Sequence, residues 1–194
     1  MISSRSAAIV AAERGVEDLL RGIGEDPSRP GLRETPKRVV RAYLEMTGGV
    51  DVDVPALLSR SFEVEGTSYD ELVVLSGIEF ASLCEHHLLP FTGTAAVGYL
   101  PGERVVGLSK LARLVDAFAR RLQLQERLTA QIAHALIEHG GARAAGVVIR
   151  ASHACMSCRG VRKPGAAMLT STLLGEMRES GDLRAEFLRL AGEL

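Results

Sequence analysis

Cysteine is scarce in this 194-residue chain: there are three, two of them in one C-x-x-C. Three thiols cannot build an even disulfide framework, so reduced sulfur serving a metal is the expectation. Excess charge is missing as well. With 23 basic and 24 acidic residues the formal net charge is -1, which excludes a broadly basic surface for nucleic acid. Any anionic ligand must then be held by local arginines and lysines. Long apolar runs are absent too: nothing approaches a membrane span, and Met1 to Val10, polar at Ser3, Ser4 and Ser6, lacks the core of a signal peptide. A cytoplasmic protein with no membrane or nucleic-acid partner is expected. No internal repeat or low-complexity segment is present. The 46% of hydrophobic residues suffices for one main domain with an appended arm.

Ile9, Val10, Val16, Leu19, Leu20 and Ile23 predict an amphipathic helix over Ala7 to Ile23. Pro27, Pro30 and Gly31 break the chain after it. Thr35-Pro36 has the form of an N-cap followed by proline at the first helical position, opening a helix that Gly48-Gly49 ends. From there to Tyr69, residues such as Asp51, Asp53, Pro55, Gly66 and Thr67 predict an irregular connection. Residues 1–69 are therefore read as a helical arm and connection, and 70–194 as the main domain. Strands are predicted over Glu71 to Glu79, Gly93 to Leu100, Arg104 to Gly107, Gly146 to Ser152 and around Met168 to Leu174. Leu108, Leu111, Val115, Phe118 and Leu122 predict one helix and Leu124, Leu128, Ile132 and Leu136 a second, jointed near Leu122 to Gln125. Leu183 to Leu190 closes the chain as a short helix. The order gives an α+β domain, an antiparallel sheet covered on one face by a helix pair.

The chemistry is concentrated in two stretches. Cys84 and His87 of Cys84-Glu85-His86-His87 are three apart, a spacing at which thiolate and imidazole close on one zinc from a single turn. The second stretch is His153-Ala154-Cys155-Met156-Ser157-Cys158-Arg159-Gly160; together the two hold all three cysteines and three of the five histidines. Residues two apart on a strand share a face, so His153 and Cys155 can both look into the pocket of Cys84 and His87. Two readings stand at this point. If Cys84, His87, Cys155 and Cys158 all bind, the zinc is closed and structural; if three bind, a position stays open for water and catalysis. His86 and His153, beside the ligands, suit proton transfer in an open site.

The strings Cys84-Glu85-His86-His87, Gly107-Leu108-Ser109-Lys110-Leu111, Gln125-Glu126-Arg127-Leu128-Thr129 and His153-Ala154-Cys155 with Arg159-Gly160 resemble type I GTP cyclohydrolase. Glu34-Thr35-Pro36-Lys37-Arg38 and the Leu183 to Leu190 tail extend the likeness over nearly the whole chain. The resemblance implies a hydrolase that opens the imidazole ring of GTP, releases carbon 8 as formate and forms 7,8-dihydroneopterin triphosphate, the first step of pterin and folate biosynthesis. It implies zinc (Zn2+) on Cys84, His87 and Cys155, with His86, His153 and Ser109 in catalysis. It also implies GTP contacts from Glu126 and Gln125 at the guanine, from Ser109 and Lys110 near ribose and phosphates, and from Arg38, Arg113 and Arg159 at the triphosphate. The implied fold is the tunnelling fold, a four-stranded antiparallel sheet with a helix pair, assembled into a homodecamer of two pentamers with sites at subunit interfaces. On chemical grounds a carboxylate such as Glu126 suits the guanine edge, and arginine's planar fork suits a triphosphate. Two positions depart from the family: Leu122, where a proline is usual, and Cys158, an additional thiol.

Overall fold

The computed structural model describes residues 2–59, 61–62 and 69–192; the predicted irregular residues Gly66 and Thr67 lie outside them. The chain divides into two compact units, Met1–Thr47 and Gly48–Leu194. The first is a helix pair, α1 (Ile2–Gly22) and α2 (Thr35–Met46). Thr35 does not cap α2. Glu34 occupies the cap position with a helical backbone, φ -95° and ψ -3°, and no side chain accepts there. A capping side chain needs an extended cap residue, and the turns over residues 27–34 deliver the chain already coiled.

The second unit opens with a 3-10 turn (Gly48–Asp51) and α3 (Val54–Leu58), then runs β1 (Ser61–Phe62), β2 (Val73–Cys84), β3 (Pro90–Leu100) and β4 (Val105–Val106). It continues through α4 (Leu108–Ala119), β5 (Leu122–Gln123), α5 (Gln125–Glu138), β6 (Ala144–His153), α6 (Ala154–Ser157), β7 (Met168–Gly175), α7 (Glu176–Glu179) and α8 (Gly181–Ala191). The expected irregular connection is thus partly ordered. Asp53 caps α3, its carboxylate accepting from the Ala56 N–H at 2.9 Å, and Val54 and Leu58 join the main core. The two compact units divide after Thr47.

The strand order is β5-β2-β3-β6-β7. The four long strands pair antiparallel as predicted, but β5 adds a fifth, parallel to β2 through Leu83↔Leu122 and Cys84↔Gln123. The sheet is therefore five-stranded and mixed. Leu122 and Leu124 continue the helical spacing on either side, so a two-residue strand between two helices leaves no period of its own. Leu122 stands half-exposed on the sheet edge, whereas Leu111 and Val115 of the same stripe are buried. β4 pairs with β1.

One face of the sheet packs under α4 and α5, where Leu111, Leu114, Leu128, Ile132 and Leu136 meet Ala95, Val97, Val147 and Ile149. The opposite face is covered as well, which a single helix pair did not anticipate. Phe187 of α8 lies over Gly98 and Gly146, and a Cβ on either glycine would come within 2.7 Å of its ring. Those two glycines form the hollow that seats the ring. Among the described residues no helix is long and apolar enough to cross a membrane.

A bulge in β2 decides which side chains reach the site. Leu75 pairs with Val97 and Ile78 with Ala95, so β2 spends three residues where β3 spends two. Gly77 absorbs the extra residue at φ +69°, a left-handed backbone that disfavours side chains. Side chains alternate along a strand; without the bulge Phe80, Ser82 and Cys84 would turn away from α4 and α5. With it, Cys84 is buried in the same core as Phe91.

Candidate active site

The first half of the site is a tight turn at the end of β2. The Cys84 carbonyl accepts from the N–H groups of His87 at 3.3 Å and Leu88 at 2.8 Å, while the Cys84 N–H donates to the Leu89 carbonyl at 2.9 Å. Leu88 adopts φ +53° to close it, a conformation uncommon for residues other than glycine. The turn folds the His87 ring back, leaving its Nδ1 3.9 Å from Cys84 Sγ. β5 braces it from the side: the Glu85 N–H donates to the Gln123 carbonyl at 3.0 Å. The Glu85 carboxylate also pairs with Arg127 of α5.

The second half departs from the predicted geometry. β6 ends at His153, and Cys155 lies in the helical turn α6, so the two do not share a strand face. Cys155 nonetheless reaches Cys84 and His87: the ligand atoms of the three all lie within 4.8 Å of one another. A tetrahedral zinc with its usual Zn–S and Zn–N bonds holds such donors about 3.5 Å apart. A small contraction brings the set onto an ion, and two thiols with one imidazole are donors zinc favours. Burial pushes the Cys155 thiol up, the neighbouring Cys84 sulfur adds to this, and Arg159 opposes it. Two sulfurs this close resist joint ionisation, and a bound dication reverses that resistance. Cys158 is turned elsewhere: it is exposed, and its thiol donates to the Ala154 carbonyl at 2.8 Å.

His153 sits beside the group, stacked on Phe91 with ring centroids 4.6 Å apart and planes 3° from parallel. Its Nε2 lies 2.8 Å from Gln125 Oε1. Burial lowers its pKa from the ordinary histidine value, and the Glu126 carboxylate pulls the other way. His86 is exposed in the ligand turn, its ring centroid 6.3 Å from that of His87. Gln125 is 1% exposed, its amide engaged inside the fold; Phe91, Thr129 and Thr170, which surround that arrangement, gave no sign in the sequence beyond apolar or strand-forming character.

The remaining predicted residues are not gathered here. Ser109 and Lys110 lie in the first turn of α4, three and four residues after Val106, whose N–H and carbonyl both bond the Tyr99 hydroxyl, at 2.8 Å and 3.0 Å. Phe91, at the site, and Tyr99 are eight residues apart on β3, about 27 Å of extended strand. Ser109 and Lys110 thus belong to the far end of the sheet, and Arg113 lies half-way along α4. Arg38 is exposed on α2 of the first unit.

Residues 12–192 match the family described as GTP cyclohydrolase I. GTP cyclohydrolase 1 of Janthinobacterium sp. (strain Marseille) is 55% identical over 175 residues, covering 90% of this chain and 88% of that protein. Its namesake in Nitrosospira multiformis is 52% identical over 183 residues, covering 93% and 95%. That of Mycobacterium marinum is 52% identical over 181 residues, covering 92% and 88%. Among solved structures, the archaeosine synthase QueF-Like in the apo form covers 56% of this chain at 16% identity and a TM-score of 0.45, too distant a likeness to carry an argument. With a family match that runs from α1 to the end of α8, and with the Cys84, His87 and Cys155 donors drawn together beside His153, the chain belongs to the GTP cyclohydrolase I family.

Proposed function

We propose that this chain converts GTP and water to 7,8-dihydroneopterin triphosphate and formate, the first step of pterin and folate biosynthesis, with zinc held by Cys84, His87 and Cys155. One observation carries the reading: three donors converge while the fourth candidate, Cys158, bonds a backbone carbonyl instead. Three protein ligands are the number a catalytic zinc uses. Zinc in such a site makes water acidic enough to supply a nucleophile for carbon 8 near neutral pH. His153 and His86 move protons at the ring nitrogens and ribose oxygens. The Glu126 carboxylate accepts from the guanine N1–H and amino group, which selects guanine over adenine. Arg38, Arg113, Arg159 and Lys110 bind the triphosphate, and Ser109 lies by the ribose.

The distance between the metal donors and Ser109 with Lys110 supports a pocket completed by a second copy. Within one chain those groups stand at opposite ends of β3, too far apart for one nucleotide. A tunnelling-fold ring, two pentamers face to face, brings the two ends of neighbouring sheets together; residues 70–194 form its catalytic body. Three reduced thiols suit the cytoplasm. The zinc-loaded protein incubated with GTP is expected to release formate and a pterin that fluoresces after oxidation. Absence of turnover with full zinc occupancy would contradict the reading. Mixing His153→Ala chains with Lys110→Ala chains is expected to restore part of the activity, and complete failure would contradict the shared pocket.

A further inference from the structure

Beneath His153 lies a chain of buried hydrogen bonds whose direction is fixed by simple donor and acceptor accounting. Gln125 Nε2 lies 3.1 Å from the Ile149 carbonyl, 3.0 Å from the Met168 carbonyl and 3.1 Å from Thr170 Oγ1. Backbone carbonyls only accept, so the amide nitrogen must face them. A flipped amide would set its oxygen against two carbonyl oxygens. Thr129 Oγ1 donates to the Gln125 backbone carbonyl at 2.7 Å and therefore accepts from Thr170 Oγ1, also at 2.7 Å. The Thr170 hydrogen is thereby committed, leaving its oxygen to accept from Gln125. Each threonine hydrogen has one place, and the two hydrogens of the Gln125 amide are shared among its three acceptors. Gln125 and Thr129 are 1% and 0% exposed, so water does not compete.

The one group left is Gln125 Oε1, which faces His153 Nε2 and cannot donate. We propose that Gln125 is a positioning residue that holds the His153 ring in one orientation by accepting from its Nε2–H, so that Nδ1 is the nitrogen turned away from the amide. The Phe91 stack fixes the plane of the ring, and the amide fixes its rotation and tautomer. Ile149, Met168 and Thr170 act one layer further out, through the orientation of the amide. A histidine that must meet a reacting atom with a chosen nitrogen needs such an arrangement, as tautomer loss alone costs other enzymes orders of magnitude. The functional half of this inference rests on the proton role proposed for His153; the tautomer itself does not.

Neutron diffraction from crystals of the full zinc-loaded chain, exchanged into heavy water, decides the tautomer. Deuterium on His153 Nε2, with two deuterons on Gln125 Nε2, is expected; deuterium on Nδ1 alone overturns the proposal. Gln125→Met removes the acceptor at similar volume and is expected to lower kcat by about 10- to 100-fold, with KM for GTP and zinc content within about twofold. A Met variant that folds, binds zinc and keeps full kcat overturns the positioning role. If the wild-type chain itself fails to turn over GTP, the proposed reaction falls, and the neutron map still decides where the proton sits.

Discussion

Two buried polar side chains lie under the same helix pair, at opposite ends of the sheet. Tyr99 places its hydroxyl between the N–H and carbonyl of Val106, satisfying both backbone groups and fixing where α4 begins. Gln125 satisfies two backbone carbonyls as well, but its remaining oxygen is turned to an imidazole. Burial makes both arrangements rigid, because an unmade bond there costs about 1–3 kcal/mol. Only the second ends on a group that titrates beside the metal donors. What separates a structural polar group from a functional one is the partner at the end of its network.

Breaking the metal end should have the largest effect. Cys84→Ser and Cys155→Ser are expected to lose zinc and all measurable turnover, read by metal analysis and formate release; retained zinc would remove the residue from the ligand set. His153→Ala should keep its zinc while turnover falls by about 10²- to 10⁴-fold. At the Tyr99 end the expected losses are of stability and not of rate. Tyr99→Phe leaves the Val106 groups unpaired, and a decrease of about 1–3 kcal/mol in denaturant unfolding is expected, with kcat per folded site unchanged. Burial pushes the Tyr99 pKa from its ordinary 10.0 up to about 12. The folded state therefore holds that proton more tightly, so the stability it contributes is whole below about pH 10 and lost as pH rises towards 12. Tyr99→Phe should flatten that stretch of the stability profile. The smallest effect is expected at Cys158→Ser, with zinc content and turnover unchanged; release of the metal would restore the closed Cys3His alternative.

The same contrast shows what the sequence could disclose. Cys84 with His87 is legible because a three-residue step within one turn fixes the separation of side chains, and the helices of the main domain because their apolar spacing is regular. Cys155 reaches its partners from a helical turn and not from the predicted strand, because the chain turns helical one residue after His153. β5 was invisible for want of length, although it carries Gln125 and Glu126 to the site. The bulge at Gly77 sets the facing of Cys84, yet a single glycine within an apolar run does not announce a shift of register. The Gln125 network was beyond reach because the partners of its side-chain amide are 24 to 45 residues away, and the three acceptors of its nitrogen are ordinary backbone or threonine oxygens.

The central claim is that zinc here has three protein ligands, two of them sulfur. Zinc X-ray absorption on the reduced, zinc-loaded protein counts those ligands directly. Two sulfurs, one imidazole nitrogen and one light non-protein atom are predicted; three sulfurs in the free enzyme would contradict the account.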